Sequence, residues 1–135
     1  MPHLIYEYTD NLDAKEADIQ GLLKKSCEIL IAQGGVFPIG GIRVRAHRLS
    51  EYCIADGSRA DDAFVHASLK VGAGRSEAEK KKACDELFAM ISAHFAASFD
   101  KRGLALSMEF SEFSEAGTWK KNNIHARFKK QAQPQ

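Results

Sequence analysis

The sequence predicts an α+β fold in which two tandem βαβ units form a four-stranded sheet with two helices on one face. The prediction rests on an internal repeat, because residues 2–49 and 63–113 both read as strand, helix, strand, with Pro2 corresponding to Ala63. An internal repeat is a strong indication of architecture. Parallel strands joined through a helix make right-handed crossovers, which put both helices on the same side of the sheet.

The composition is that of one globular domain. The chain has 135 residues, of which 44% are hydrophobic and 27% are charged, as is usual for globular proteins. The 19 basic and 18 acidic residues leave a net charge of +1, which argues against nucleic-acid binding. No apolar run approaches the roughly 20 residues of a membrane span, and the first residues lack a signal-peptide pattern. We therefore expect a cytoplasmic protein whose partners include neither nucleic acid nor a membrane.

The first unit begins with a strand at the chain terminus. Residues 1–8 alternate after Pro2, and proline is tolerated at the first position of a strand. A capping-box pattern at Asp13 then predicts the start of a helix. Apolar residues recur at helical spacing through Gln33, and two glycines that follow predict the helix end.

The second strand of this unit, predicted over residues 42–49, has an unusually basic face. Arg43 and Arg45 point to the same side of it, since alternate residues of a strand share a face. A planar guanidinium group matches a carboxylate with two parallel hydrogen bonds. The strand therefore predicts carboxylate binding, and structural ion pairs with Glu7 or Glu109 are the alternative.

The second unit repeats this plan after a polar connection over residues 50–62. Strands are predicted over residues 63–71 and 104–113, where apolar and polar residues alternate. Between them a second capping box at Ser76 predicts a helix, and the polar run that starts at Asp100 ends it.

The remaining residues complete a single domain over residues 2–130, followed by a tail, residues 131–135, that we expect to be disordered. They contain no third long helix that could cover the second face of the sheet. Alternation in the strands predicts that this face is half apolar, and an exposed apolar face is an association site. We therefore expect a homo-oligomer whose sheets pack together.

A glycine-rich loop joins the third strand to the second long helix. Its sequence, Val-Gly-Ala-Gly-Arg-Ser-Glu over residues 71–77, lacks the third glycine of a dinucleotide fingerprint and the Lys-Ser/Thr pair of a Walker A loop. A helix N-terminus preceded by Arg75 is nevertheless suited to an anion or a carboxylate. The alternative is a glycine turn with an arginine that faces solvent.

Cysteine and histidine spacing favours neither a disulfide framework nor a metal site. The cysteines are Cys27, Cys53 and Cys84, and the histidines are His3, His47, His66, His94 and His125. His3 and His66 hold equivalent positions in the repeat and could approach each other. We expect no metal and no cofactor.

The amino terminus is the candidate catalytic group. We expect Met1 to be removed, which would give Pro2 a free secondary amine. An ordinary terminal amine has a pKa of about 7.7–8.0, and both burial and nearby cations lower it. A neutral amine at pH 7 can act as a general base, although a Met-Pro start by itself is common and usually has no catalytic role.

Several short stretches together resemble the tautomerase superfamily, and more closely the 5-carboxymethyl-2-hydroxymuconate isomerase family within it. The matching stretches are Pro-His-Leu-Ile at 2–5, Gly-Ile-Arg-Val-Arg at 41–45, Phe-Val-His at 64–66, Leu-Lys-Val-Gly-Ala-Gly-Arg-Ser at 69–76 and Asn-Asn-Ile-His-Ala at 122–126. The glycine-arginine stretch and the Asn-Asn-x-His stretch are the most specific, and the resemblance extends to about Lys129.

The resemblance implies a homotrimer with its sheets facing inward, no cofactor and no metal. Pro2 matches the catalytic base, and Arg43 and Arg75 match the two arginines that bind and polarise the substrate. Arg45 is a further candidate for substrate binding.

The activity that the resemblance implies is isomerisation of a di- or tricarboxylate enol, such as 5-carboxymethyl-2-hydroxymuconate, to its 2-oxo-3-ene isomer. The implied setting is aromatic catabolism by the homoprotocatechuate (4-hydroxyphenylacetate) route. A tautomerase for phenylpyruvate-like enols, a promiscuous tautomerase and a non-catalytic trimeric binding protein are the alternatives.

Overall fold

In a computed structural model, which describes residues 1–132, a four-stranded mixed sheet is covered on one face by helices. Its strands, in the spatial order β2-β1-β3-β4, are His3–Thr9 (β1), Arg43–Leu49 (β2), Ala63–Gly72 (β3) and Leu104–Phe113 (β4). β1 and β2 are parallel, β3 and β4 are parallel, and β1 and β3 meet antiparallel. The predicted α+β fold of two βαβ units is confirmed.

Each of the two predicted long helices is divided in the structure. The helical segments are Ala14–Ala17 (α1), Ile19–Ile31 (α2), Glu77–His94 (α3), Ala96–Lys101 (α4) and His125–Ala132 (α5). The first break lies at Asp18, whose φ of 37° is left-handed and whose carboxylate accepts a hydrogen bond from Gly21 N at 3.3 Å. Asp18 can therefore end α1 and cap α2 at the same position.

The two predicted helix starts are capped as expected, but only one has a complete capping box. Ser76 Oγ accepts from Glu79 N, and the Glu79 carboxylate accepts from Ser76 N. Asp13 accepts from Glu16 N at 2.8 Å, whereas the Glu16 carboxylate instead binds Arg102 Nη1 at 3.0 Å. A contact distant in sequence thus replaces the local reciprocal bond.

α5 is the last element of the described chain and ends at Ala132. Disorder of the tail, residues 131–135, stays a prediction. Residues 133–135 lie outside the described residues. In the described part of the chain, no helix has both the length and the hydropathy that crossing a bilayer requires.

The core lies between the sheet and the helices. Its largest fully buried side chains come from the inward positions of the strands and from the apolar stripes of α2 and α3, and include Leu4, Tyr6, Val65, Leu69, Leu22, Leu30, Leu87 and Ile91. The buried Tyr6 hydroxyl lies 2.7 Å from Ser26 Oγ, which itself donates to the Leu22 carbonyl. The one polar group that β1 places in this layer is therefore hydrogen-bonded, as burial requires.

The uncovered face of the sheet is more polar than the sequence predicted. Ile5 and Phe64 are partly buried there, but ionisable side chains dominate, namely Glu7, Arg45, His47, His66, Lys70 and Glu109. His66 joins two neighbours on this face, with Nδ1 2.7 Å from Ser107 Oγ and Nε2 3.4 Å from Glu109 Oε1. The expectation of a half-apolar face is wrong in this respect.

The expectation that His3 and His66 are equivalent and approach each other is wrong. With Pro2 aligned to Ala63, the residue equivalent to His3 is Phe64. The antiparallel register also keeps the two histidines apart, because His66 lies opposite Glu7 and His3 lies opposite Lys70 near the other end of β1.

Candidate active site at the start of the first strand

The topology brings three parts of the chain to the start of β1. Parallel pairing puts His3 opposite Arg43, so β1 and β2 begin at the same edge of the sheet. Antiparallel pairing puts the end of β3 at that edge too, and the glycine loop follows it. Pro2 is buried at this point, and its carbonyl accepts a hydrogen bond from Arg43 N at 3.0 Å.

Arg43 lies directly beside the terminus. Its Nη1 donates to the carbonyls of Gly40 and Ile42 at 3.0 and 2.9 Å. These bonds fix the guanidinium through one nitrogen, and its Nη2 makes no hydrogen bond among the described residues. Arg43 makes no ion pair with Glu7 or Glu109, and the structural alternative suggested by the sequence is wrong for this residue.

Arg45 is placed differently from Arg43, although the two share a strand face. Its Nη1 lies 3.1 Å from His3 Nδ1, on the exposed part of the uncovered sheet face. Burial and the cationic charge of Arg45 are the main causes that lower the pKa of His3. A direct role of Arg45 in substrate binding stays a prediction.

Arg75 is held in place by the loops around it. Its Nε donates to Val36 O at 3.0 Å, and its Nη1 donates to Gly72 O at 2.8 Å. The guanidinium carbon lies 5.0 Å from the centre of the buried Phe37 ring, within the range of a cation–π contact. The alternative of a solvent-facing arginine in a glycine turn is therefore wrong, and Arg75 Nη2 makes no hydrogen bond among the described residues.

The terminal amine is surrounded by cations. Burial is the largest cause that lowers its pKa from the ordinary 8.0, followed by the charges of Lys120, Arg75 and Arg43, while Glu115 raises it. In this chain the amine belongs to Met1, one residue before Pro2. The structure thus brings Arg43 and Arg75 to the terminus, together with Lys120, which the sequence interpretation missed.

The segment that carries Lys120 is fastened to the same turn as Arg43. Asn122 Nδ2 donates to Gly40 O at 2.9 Å, the carbonyl that also accepts from Arg43, and Asn122 Oδ1 accepts from Ile124 N at 2.6 Å. The Asn-Asn-x-His motif was the available signal. This motif contributed to the family resemblance. Its spacing did not indicate that Asn122 contacts Gly40, which lies 82 positions earlier.

Two glycines make room for this packing. A Cβ on Gly40 would lie 2.7 Å from His125 Cα, closer than non-bonded carbons approach. A Cβ on Gly41 would lie 3.1 Å from Met1 Cγ and 3.3 Å from His125 Cε1. The Met1 side chain and the His125 ring therefore both lie close to Gly41, and removal of Met1 would open space beside this glycine.

Replacing Gly40 by alanine should displace the start of α5 and the segment before it. The new Cβ would meet backbone atoms of His125, which cannot move aside as the end of a flexible side chain can. We therefore expect the protein to lose stability and any activity that needs Lys120. Thermal unfolding and proteolysis after residue 117 would measure the effect. Gly72→Ala is the matched control, because its Cβ would lie 3.5 Å from Phe113, an ordinary contact distance. Equal behaviour of the two variants would contradict the prediction.

Comparison with known proteins agrees with this geometry. A family model described as 5-carboxymethyl-2-hydroxymuconate isomerase matches residues 2–128. The 5-carboxymethyl-2-hydroxymuconate Delta-isomerase of Escherichia coli is 46% identical over 129 residues, which cover 96% of this chain and 100% of that protein.

Solved structures give the same relationship. The crystal structure of a 5-carboxymethyl-2-hydroxymuconate isomerase from Deinococcus radiodurans R1 superposes with a TM-score of 0.90 at 61% identity, covering 94% of this chain and 93% of that one. A fused 4-OT described as a wild-type symmetric trimer shares the fold alone, with a TM-score of 0.65 at 12% identity over 88% of this chain and 93% of that one. The chain belongs to the 5-carboxymethyl-2-hydroxymuconate isomerase family.

Proposed function

We propose that the chain, after removal of Met1, is a cofactor-independent isomerase that converts 5-carboxymethyl-2-hydroxymuconate to its 2-oxo-3-ene isomer in the catabolism of aromatic compounds. Family membership supports the reaction class. The single observation that supports it most from the structure is that Arg43 and Arg75 lie at the amino terminus, where they and burial lower the pKa of the Met1 amine, one residue before Pro2. A buried base among fixed cations suits an anionic enol substrate.

The Pro2 nitrogen is the proposed base. As a neutral secondary amine it accepts the proton of the substrate's 2-hydroxyl group, and the O–H electrons form the C2=O bond. The double bonds shift so that C3=C4 forms, and the new ammonium returns its proton to C5. One proton leaves oxygen and one reaches carbon, so the reaction needs no oxidant, reductant or other reactant.

Arg43 and Arg75 are the proposed carboxylate ligands. Their guanidinium groups are held by backbone carbonyls before any substrate arrives, so little reorganisation is needed when charge moves through the diene. Their positive charges also keep the amine neutral near pH 7, because protonation beside a cation is unfavourable. Arg45 is proposed to act at the edge of the site through its contact with His3.

The assembly is proposed to be a homotrimer with the uncovered sheet faces turned inward. Support comes from the fused 4-OT that shares this fold and is described as a symmetric trimer. The uncovered face is polar, with His66 Nε2 3.4 Å from Glu109 Oε1, and this fits an inner surface on which subunits make polar contacts. Light scattering of the purified protein would measure the number of subunits.

Turnover of the enol by the protein, followed in the ultraviolet, tests the proposed function. Intact mass must first show that Met1 is absent. Rapid loss of the enol signal, above the rate in buffer, supports the isomerase. Absence of turnover by a folded, oligomeric protein that lacks Met1 would contradict it and favour a binding protein.

The pH dependence of kcat/KM should report the lowered pKa of the amine. Only the neutral amine is a base, so the rate should rise with pH and level off once the amine has lost its proton. Burial and three cations lower the pKa of the Met1 amine from the ordinary 8.0. We expect the Pro2 amine, one residue further into the same surroundings, to be affected in the same direction, so the midpoint should lie below 8.0. A profile measured from about pH 5 to pH 9 covers this range. A midpoint at or above 8.0 would contradict the environment described for the amine.

A further inference from the structure

The segment from Thr118 to Asn122 places the positively charged Lys120 where it acts on the terminal amine. No sequence motif indicated this role. The segment follows a short 3-10 turn at Glu115–Gly117 and has no regular structure of its own. Its position is set at one end by Ser114, whose carbonyl accepts from Thr118 Oγ1 at 2.7 Å. At the other end the Asn122 amide is bonded to Gly40 O. Lys120 lies midway between two anchored points.

Lys120 makes only a weak ion pair with Glu115. Its Nζ lies 4.0 Å from Glu115 Oε1, at the limit of an ion pair, and its side chain is 46% exposed. An exposed pair at this distance contributes little to stability. The neighbouring Lys121 is exposed as well. Of the charges that act on the Met1 amine, Lys120 has the largest effect on its pKa.

Charge matching suggests what Lys120 does. The substrate proposed above has three carboxylates, two at the ends of the muconate chain and one on the carboxymethyl group. Arg43 and Arg75 are guanidinium groups whose Nη2 makes no hydrogen bond among the described residues, so each has a donor left for one carboxylate. An ammonium group is a compact point charge on a flexible stem and suits a carboxylate that projects from the side of the substrate.

We propose that Lys120 binds the third carboxylate of the substrate and so selects tricarboxylate over dicarboxylate enols. This inference rests on the proposed function, because it assigns a role within that site. Anchoring of the segment through Asn122 to the Gly40 carbonyl, which also accepts from Arg43, links the Lys120 backbone to one of the two proposed carboxylate-binding arginines.

Binding of two unreactive ligands tests the inference separately from catalysis. Propane-1,2,3-tricarboxylate and pentanedioate share a five-carbon main chain and differ by the central carboxylate. Calorimetry of the mature protein should show tighter binding of the tricarboxylate. Lys120→Gln should weaken tricarboxylate binding roughly 10- to 100-fold, as loss of a charge-assisted hydrogen bond does, and leave pentanedioate binding unchanged.

Two variants control for charge and for folding. Lys121→Gln removes the adjacent positive charge and should bind both ligands as the unaltered protein does, while Lys120→Arg should restore most of the tricarboxylate preference. Equal weakening of both ligands, no weakening, or an unaltered protein that does not prefer the tricarboxylate would each overturn the inference. Enol turnover by the unaltered protein, assayed in parallel, decides the proposed function independently.

Discussion

Replacing Pro2 by alanine should lower kcat for the enol by roughly 10²- to 10⁴-fold, the usual contribution of a general base, with a smaller change in KM. Alanine keeps an amine at the terminus, but this amine is primary. It also lacks the pyrrolidine ring of the buried Pro2, which holds the nitrogen in place. Arg43 and Arg75 are unaltered, so carboxylate binding should survive. Steady-state kinetics with the same enol measures both parameters.

A chain that retains Met1 is the matched control for this prediction. Its Pro2 nitrogen is an amide nitrogen, which cannot accept the proton, and the Met1 side chain fills the space beside Gly41. We expect such a chain, identified by intact mass, to be as slow as Pro2→Ala or slower. Full activity in either protein would show that another group is the base.

Replacing Arg75 by glutamine should lower kcat/KM by roughly 10²- to 10³-fold, with losses in both kcat and substrate binding. One preorganised donor to developing charge typically contributes this much to the rate. Glutamine is uncharged, so the pKa of the amine should also rise and the midpoint of the pH profile should move upward. That shift separates an electrostatic role at the amine from a purely structural role of the arginine.

Two further substitutions complete the test of Arg75. Arg75→Lys keeps the charge but loses the hydrogen bond from Nε to Val36 O. Its pH profile should therefore resemble that of the unaltered protein more closely than its substrate binding does. Arg48→Gln removes a charge from an exposed residue of β2 and should have little effect on either. An Arg75→Gln protein that melts normally and turns over the enol at the original rate would exclude Arg75 from the site.

Much of this fold follows from local patterns in the sequence. Alternation predicts the four strands, because successive side chains of a strand point to opposite faces. The capping position Ser76 predicts the start of α3 because side-chain and backbone groups three residues apart satisfy each other there. The repeat predicts two βαβ units, and the handedness of the crossover then puts both helices on one face.

The candidate site is predicted only in part from the sequence. Pro2, Arg43 and Arg75 stand out because a terminal proline, a basic strand face and a glycine-arginine loop are each visible in a few consecutive residues. That the three meet is a consequence of strand order, since β2 and β3 flank β1 at the edge where β1 begins.

Only the tertiary structure shows which other groups reach the terminus. Lys120 and Asn122 lie in a polar stretch without periodicity, and their contacts involve residues from the first third of the chain. The start of α5 packs against Gly40, where a Cβ would meet the His125 backbone. Asp18 divides a helix by capping its second part. Local patterns determine the elements of this protein, whereas long-range hydrogen bonds and the space left by missing side chains decide how its last segment completes the site.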